Sequence, residues 1–154
     1  MTSQVEVGLT RADPPDLERL ARACLDRDGG LPSFAHETML DSRLLRDQTI
    51  GLRLADGTLA AAAGIGHKEG TATTSGMVHP TERHRGIGNR HLRWAIEKSG
   101  DATLLVETET CSADADSLYA RHGLVRISAE SVMRHDLPNV PVYRSRPEFA
   151  VRRC

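Results

Sequence analysis

The segment RHRGIG, residues 83–88, sets two guanidinium groups and an imidazole around two glycines, just before an amphipathic run. That pattern suits an anion. A helix start leaves backbone N–H groups unpaired at the positive end of its dipole. Gly86 and Gly88 let the backbone approach a ligand without an intervening side chain, and Arg83 and Arg85 add charge-assisted bonds. The expected ligand is a phosphate or pyrophosphate. A second set suits proton transfer: Glu107 and Glu109 stand two apart in the apolar segment TLLVETE, so on a strand both carboxylates face one side. A carboxylate in a partly dry cleft is a competent proton acceptor.

Two familiar phosphate loops are excluded. A P-loop places Lys and Ser or Thr after its second glycine, where Asn89 and Arg90 stand; a dinucleotide fingerprint needs a third glycine where His91 stands. His79, His84 and His91 are close in sequence but lack the accompanying carboxylates of zinc hydrolases, and arginines among them repel a cation, so no metal is expected. His84 and His91 are expected to be exposed. Cys24, Cys111 and Cys154 are widely spaced with no C-x-x-C pair, which excludes a disulfide framework. Cys111 has no assignable base and reads as a packing residue.

These groups need a frame. VEVGLTRA alternates as a strand, and a helix follows from Asp13 as N-cap through Pro14 and Pro15, with Leu17, Leu20, Ala21, Cys24 and Leu25 on its buried stripe until Gly29-Gly30. SFAHETMLDSRLL reads as a second helix capped at Ser33. QTIGLRLA and TLAAAAGIG form a hairpin about Asp56-Gly57, and TATTSGMV is the next strand, ended at Pro80. After the glycine turn, Ile87, Leu92, Trp94, Ala95 and Ile96 share one helical face, and Gly100 ends the run. TLLVETE is a strand and SADADSLYARHG a helix with Ala115, Leu118 and Tyr119 inward. LVRISAE and SVMRHDL are expected to close the sheet as two strands. The order predicts an α+β domain at residues 1–137 with a mixed, mainly antiparallel sheet flanked by helices, followed by an irregular tail or extra strand at 138–154. An unpaired tail strand suits a homodimer.

The 154-residue chain has the length of one domain, with 39% hydrophobic residues to build its core. Twenty Lys and Arg against twenty-one Asp and Glu give a formal charge of -1, so no global basic field draws it to nucleic acid or anionic lipid. With 3% aromatic residues it also lacks stacking groups for single strands. No nucleic-acid or membrane partner is expected. No stretch approaches the ~20 apolar residues of a membrane helix, and MTSQVEVGLTRADPP lacks the basic start and apolar middle of a signal peptide. The expected compartment is the cytoplasm.

VHPTERHRGIGNRHL resembles the acetyl-CoA signature of the GNAT-type N-acyltransferases: Gln or Arg, two residues, Gly, one residue, Gly or Ala, after a strand ending Val-x-Pro. Here these are Arg83, Gly86 and Gly88 after Val78, His79 and Pro80. A second family pattern, Ala-x-x-Leu-Tyr then Gly-Phe, is similar to Ala115, Leu118, Tyr119, Gly123 and Leu124, with Leu in place of Phe. The resemblance covers roughly residues 3–137. It implies a GNAT-like fold and direct acetyl transfer from acetyl-CoA to the primary amine of a small-molecule acceptor, with no covalent enzyme intermediate. Met77 and Val78 would meet the pantetheine arm. Arg83, His84, Arg85, Gly86, Ile87 and Gly88, with Asn89 behind them, would hold the pyrophosphate. Tyr119 would return a proton to the departing thiolate.

Two departures stand out. Ser112 replaces the family's usual Asn contact to the cofactor, and TATTSGM lacks the carboxylate that many members carry there. A side-chain base is therefore expected at Glu107 or Glu109, with a water chain as the other route. Acidic Glu107, Glu109, Asp114 and Asp116 favour a cationic acceptor. The alternatives from other classes are a non-catalytic acyl-CoA-binding module, or one half of a tandem acyltransferase, and an anion-binding interaction domain.

Overall fold

Proline at the first two helical positions presets the backbone for a helix, and the first helix, α1 (Pro14–Asp28), begins there and ends at Gly29, whose φ is 80°. The structure, a computed structural model, describes residues 4–9, 13–108 and 112–131. It divides into two units, Met1–Leu124 and Val125–Cys154. The first unit runs β1 (Gln4–Val7), α1, α2 (Glu37–Leu44), β2 (Gln48–Leu54), β3 (Leu59–Lys68), β4 (Thr71–Val78), α3 (Ile87–Ser99), β5 (Thr103–Val106) and α4 (Ala113–Arg121), with short 3-10 turns at Pro32–Ala35 and Pro80–Glu82.

The strands lie in the order β1-β2-β3-β4-β5. The first three pairings are antiparallel and β4 with β5 is parallel, because α3 crosses between those two strands. The expected mixed, mainly antiparallel sheet flanked by helices is therefore present. The β2–β3 turn uses Gly57 at φ 85°, and the Asp56 carboxylate accepts from the Thr58 N–H at 2.9 Å.

Each face of the sheet carries its own apolar layer. On one face Leu17, Leu20 and Ala21 of α1 and Leu40 and Leu44 of α2 pack with Leu59 and Ala62. Gly64 lets α2 sit directly on β3, since a Cβ there would be built into the Leu44 carbonyl. On the other face Ile87 packs with Leu52, Ala61 and Val78, and Ala95 with Ile65 and Ala72. The small side chains Ala60–Ala63 on β3 are buried, so helices approach the sheet closely without aromatic filler.

One feature of the sheet shapes the site. β5 pairs with β4 only from Thr71–Thr103 to Thr74–Val106, and the Glu107 N–H closes the ladder on the Thr74 carbonyl at 2.9 Å. Beyond Thr74, β4 continues to Val78 with no β5 partner among the described residues. Strand alternation then turns the backbone groups of Gly76 and Val78 toward that opening. Those of Met77 turn to β3, where Met77 pairs with Ala62.

Several expectations change. The second helix starts at Glu37, not Ser33, because the 3-10 turn from Pro32 ends at His36, whose ψ of 140° is extended. Asp13 makes no side-chain cap bond; its carboxylate instead accepts from Arg53 at 2.6 Å. Ile96 is 40% exposed rather than inward, since the stripe that faces the sheet runs through Ile87, His91 and Ala95. LVRISAE forms no strand: residues 124–130 make no ladder pairing, and Val125 and Ile127 are exposed. Residues 132–137 of the second closing segment, the tail from 138, Glu109, Cys111 and Cys154 lie outside the described residues.

Candidate active site

The glycine turn adopts the shape its sequence suggests. His84 has φ 60° and Gly86 φ 79°, two left-handed residues separated by one. The first intrahelical bond of α3 runs from Arg90 N–H to the Gly86 carbonyl at 3.0 Å, so the N–H groups of Ile87, Gly88 and Asn89 are left without helix partners. A Cβ at Gly86 would meet nothing within 4 Å; the residue borders open space and needs glycine for its angle. Ile87 is buried beneath the sheet, which anchors the helix start. A Cβ at Gly88 would lie 3.4 Å from Leu118 Cδ2, so its role is the approach of α3 to α4.

The turn forms one wall of a cleft of about 310 Å³. Its lining also includes Cys24 and Asp28 of α1, Gly76, Met77 and Val78 of β4, and Ser112, Leu118 and Tyr119 of or beside α4. Sequence-distant residues are thus brought together around the opened edge of β4. Ser112 precedes α4 and bonds through its carbonyl to Ala115 N–H at 3.2 Å. The Asn89 carboxamide oxygen lies 2.7 Å from His122 Nε2, which ties the start of α3 to the end of α4.

The two arginines of the turn differ. Arg83 grips Asp28 with both terminal nitrogens, at 2.7 and 2.6 Å, and its Nε donates to the Val78 carbonyl at 3.2 Å. It acts as a brace between α1 and the end of β4. Arg85 donates to Glu82 at 3.0 Å but is 55% exposed, while Glu82 itself is buried. His84 lies 3.4 Å from Asp114 and is largely exposed, as expected. The Cys24 thiol points to the Val78 carbonyl at 3.4 Å, and burial pushes its pKa up.

The acid and base candidates lie on opposite sides of the sheet. Tyr119 lines the cleft, and its pKa is raised, first by burial, against an opposing hydrogen bond with Thr108. The phenol is therefore protonated at neutral pH. Glu107 does not line that cleft although its neighbours Val106 and Thr108 do. β5 ends at Val106, so Glu107 follows the strand rather than lying deep within it. Its carboxylate is 2.6 Å from Arg46 and 3.5 Å from the Ser75 hydroxyl. Arg46 also holds the Thr73 and Ser42 carbonyls at 3.0 Å.

The residue that sequence reasoning misplaced is His91. It is 5% exposed and lines the cleft, with its pKa lowered to about 4, chiefly by burial and then by the Arg90 charge. Its spacing of four from both Ile87 and Ala95 was the signal, outweighed by the usual exposure of histidine.

No family model matches the sequence, and no curated protein matches it. Solved structures do. A GCN5-related N-acetyltransferase from Sphaerobacter thermophilus has a TM-score of 0.67 and 25% identity, covering 77% of this chain and 42% of that one. The ribosomal-protein-S18-alanine N-acetyltransferase from Escherichia coli has 0.58 and 26%, covering 79% and 77%. The chain has the fold of the GNAT-type N-acetyltransferases. A GNAT family acetyltransferase from Brucella melitensis, solved in complex with acetyl-CoA, shares the fold at a TM-score of 0.59 and 13% identity, covering 79% and 82%. The GNAT resemblance carried by RHRGIG and ADSLY thus agrees with the sheet order. The chain spans less than half the length of the Sphaerobacter protein. Among the described residues no helix is long and apolar enough to cross a membrane.

Proposed function

We propose that this GNAT-type chain is an acetyl-CoA-dependent N-acetyltransferase acting on the primary amine of a small acceptor. The observation that carries this is the cleft itself. N–H groups of Ile87, Gly88 and Asn89 without helix partners, beside a left-handed Gly86 with open space over it, adjoin the stretch of β4 from Gly76 to Val78 that β5 does not pair. An anion joined to an extended amide-bearing arm fits that combination, and acetyl-CoA is such a molecule. The turn would take the pyrophosphate, with Arg85 adding charge. Gly76, and Val78 through its N–H, would offer the arm backbone groups. Met77 contributes its side chain, which packs with the α1 layer. Acetyl-CoA supplies the activated acyl group.

In this reading the acceptor nitrogen bonds to the acetyl carbon as the carbon–sulfur bond breaks. Tyr119 gives its proton to the leaving sulfur and is reprotonated from solvent. The amine's surplus proton leaves by the opposite face, to the Glu107 carboxylate or to water. A cationic acceptor suits the acidic groups Glu107 and Asp116. A second reading, one unit of a tandem acyltransferase, draws support from the 42% share of the Sphaerobacter chain. Calorimetric titration with acetyl-CoA, followed by free-thiol detection over a panel of amines, tests both. Binding with amine-dependent thiol release is expected; binding without release by any amine would favour the tandem unit, and no binding would end the acetyl-CoA reading.

A further inference from the structure

The group that this reading leaves unused is His91. Its imidazole is buried in the cleft lining with Thr74, Leu92, Ala95 and Val106, and neither Nδ1 nor Nε2 has a hydrogen-bond partner. Buried polar atoms are nearly always paired, and an unpaired one is costly. Neutral imidazole carries one donor and one acceptor, and burial keeps this ring neutral. Two polar groups of the lining are already engaged. The Thr74 hydroxyl donates to the Gly64 carbonyl at 2.8 Å, and Tyr119 bonds with Thr108. The lining thus leaves the two nitrogens without partners of its own.

A ligand that satisfies both nitrogens offers an acceptor and a donor beside the apolar Leu92, Ala95 and Val106. Secondary amides do so. Resting on the acetyl-CoA reading, we propose that His91 recognises the amides of the pantetheine arm, donating to a carbonyl from one ring nitrogen and accepting an N–H at the other. The position is suitable. His91 lies one helical turn beyond the N–H groups of Ile87–Asn89 and faces the side of β4 that carries Thr74 and Val78. A molecule held by its pyrophosphate at the turn would pass His91 on its way into the sheet. His91 is thereby a selector for an amide-bearing arm over a plain alkyl one.

The test compares CoA with adenosine 3′-phosphate 5′-diphosphate, which keeps the diphosphate and lacks the arm. In calorimetry His91→Leu should bind CoA about tenfold more weakly, from loss of a buried hydrogen bond, and bind the armless nucleotide like the parent. In the parent labelled with 15N-histidine, the imidazole that stays neutral below the usual histidine range should shift to one fixed tautomer with CoA and not with the nucleotide. Unchanged CoA affinity in a folded His91→Leu, equal weakening toward both compounds, or a ring signal that CoA does not move would each overturn the proposal. Should His91→Leu fail to fold, the ring signal of the parent decides alone. A parent that binds neither compound removes the acetyl-CoA reading itself, an outcome distinct from binding that ignores His91.

Discussion

The Arg83 guanidinium lies across both carboxylate oxygens of Asp28, at 2.7 and 2.6 Å, and joins the end of α1 to the loop after β4. Both side chains are largely buried, at 17% and 20% exposure. A bidentate pair of this kind fixes geometry as well as charge. The position that the family pattern offers as a pyrophosphate ligand is thus occupied by a brace, and the anion is left to backbone N–H groups and Arg85.

The first prediction follows from that pair. Asp28→Ala and Arg83→Met should each lower unfolding free energy by about 1–3 kcal/mol, and the double variant should lose less than the sum. Acetyl-CoA affinity should fall less in Asp28→Ala than in Arg83→Met, since the freed guanidinium can still meet an anion. Strict additivity in chemical denaturation would mean that the pair does not act as a brace.

At Gly86 the backbone angle and the open space make separate demands. Gly86→Ala forces a Cβ into the left-handed region at about 1–2 kcal/mol, whereas Gly86→Asn tolerates the angle better but fills the space. Both should bind acetyl-CoA at least about tenfold more weakly, with Gly86→Asn the more stable of the two by thermal melting. Parental affinity in both folded variants would remove the turn from the cofactor site.

Much of the frame was legible because it rests on local signals. Pro14-Pro15, Asp56-Gly57, Gly86 and Gly100 mark element ends through backbone chemistry, and the alternation of the sheet strands is strong. Burial choices among ambiguous residues were not legible. His91 and Ile96 exchange their expected exposures because an alanine-rich stripe lets α3 approach β3 and β4 closely. The engagement of Arg83 with Asp28, and of Glu107 with Arg46, depends on residues 55 and 61 positions away. No local pattern reports such distances.

Tyr119→Phe removes only the hydroxyl. Turnover should fall by up to ~100-fold with acetyl-CoA affinity nearly intact. Because burial raises the phenol's pKa above its ordinary 10.0, the donor proton persists through neutral and mildly alkaline pH. A fall in kcat assigned to this group should therefore appear only above about pH 10. A fall at lower pH that survives in Tyr119→Phe belongs to another group.

His91 makes folding sensitive to acid. Its ordinary pKa is 6.5 and its folded value about 4, so as pH falls through this interval the unfolded chain takes up a proton that the folded chain refuses. Stability is lost across that window and the loss stops below it, amounting to about 3 kcal/mol when complete. The parent should lose melting temperature between these values more steeply than His91→Gln. Parallel curves would show that the ring titrates freely in the folded state.

The base is the boldest assignment, and the sheet gives it a geometric reason. Val106 and Thr108 line the cleft beside Tyr119 while Glu107, between them, reaches Arg46 and Ser75. Acid and base on opposite sides of the opened sheet edge would let an amine attack from the α2 side as the thiolate takes its proton on the other. Glu107→Gln keeps an acceptor for Arg46 and removes the charge. Since Glu107 is 48% exposed, the fold should lose less than about 1 kcal/mol. Turnover should drop by about 10- to 100-fold, and acetyl-CoA affinity should stay unchanged. Ser75→Ala should cost far less turnover, because a hydroxyl 3.5 Å from the carboxylate contributes orientation rather than proton uptake. A Glu107→Gln enzyme with the parent's rate would assign proton removal to water reaching the α2 face, with Tyr119 and the glycine turn unaffected.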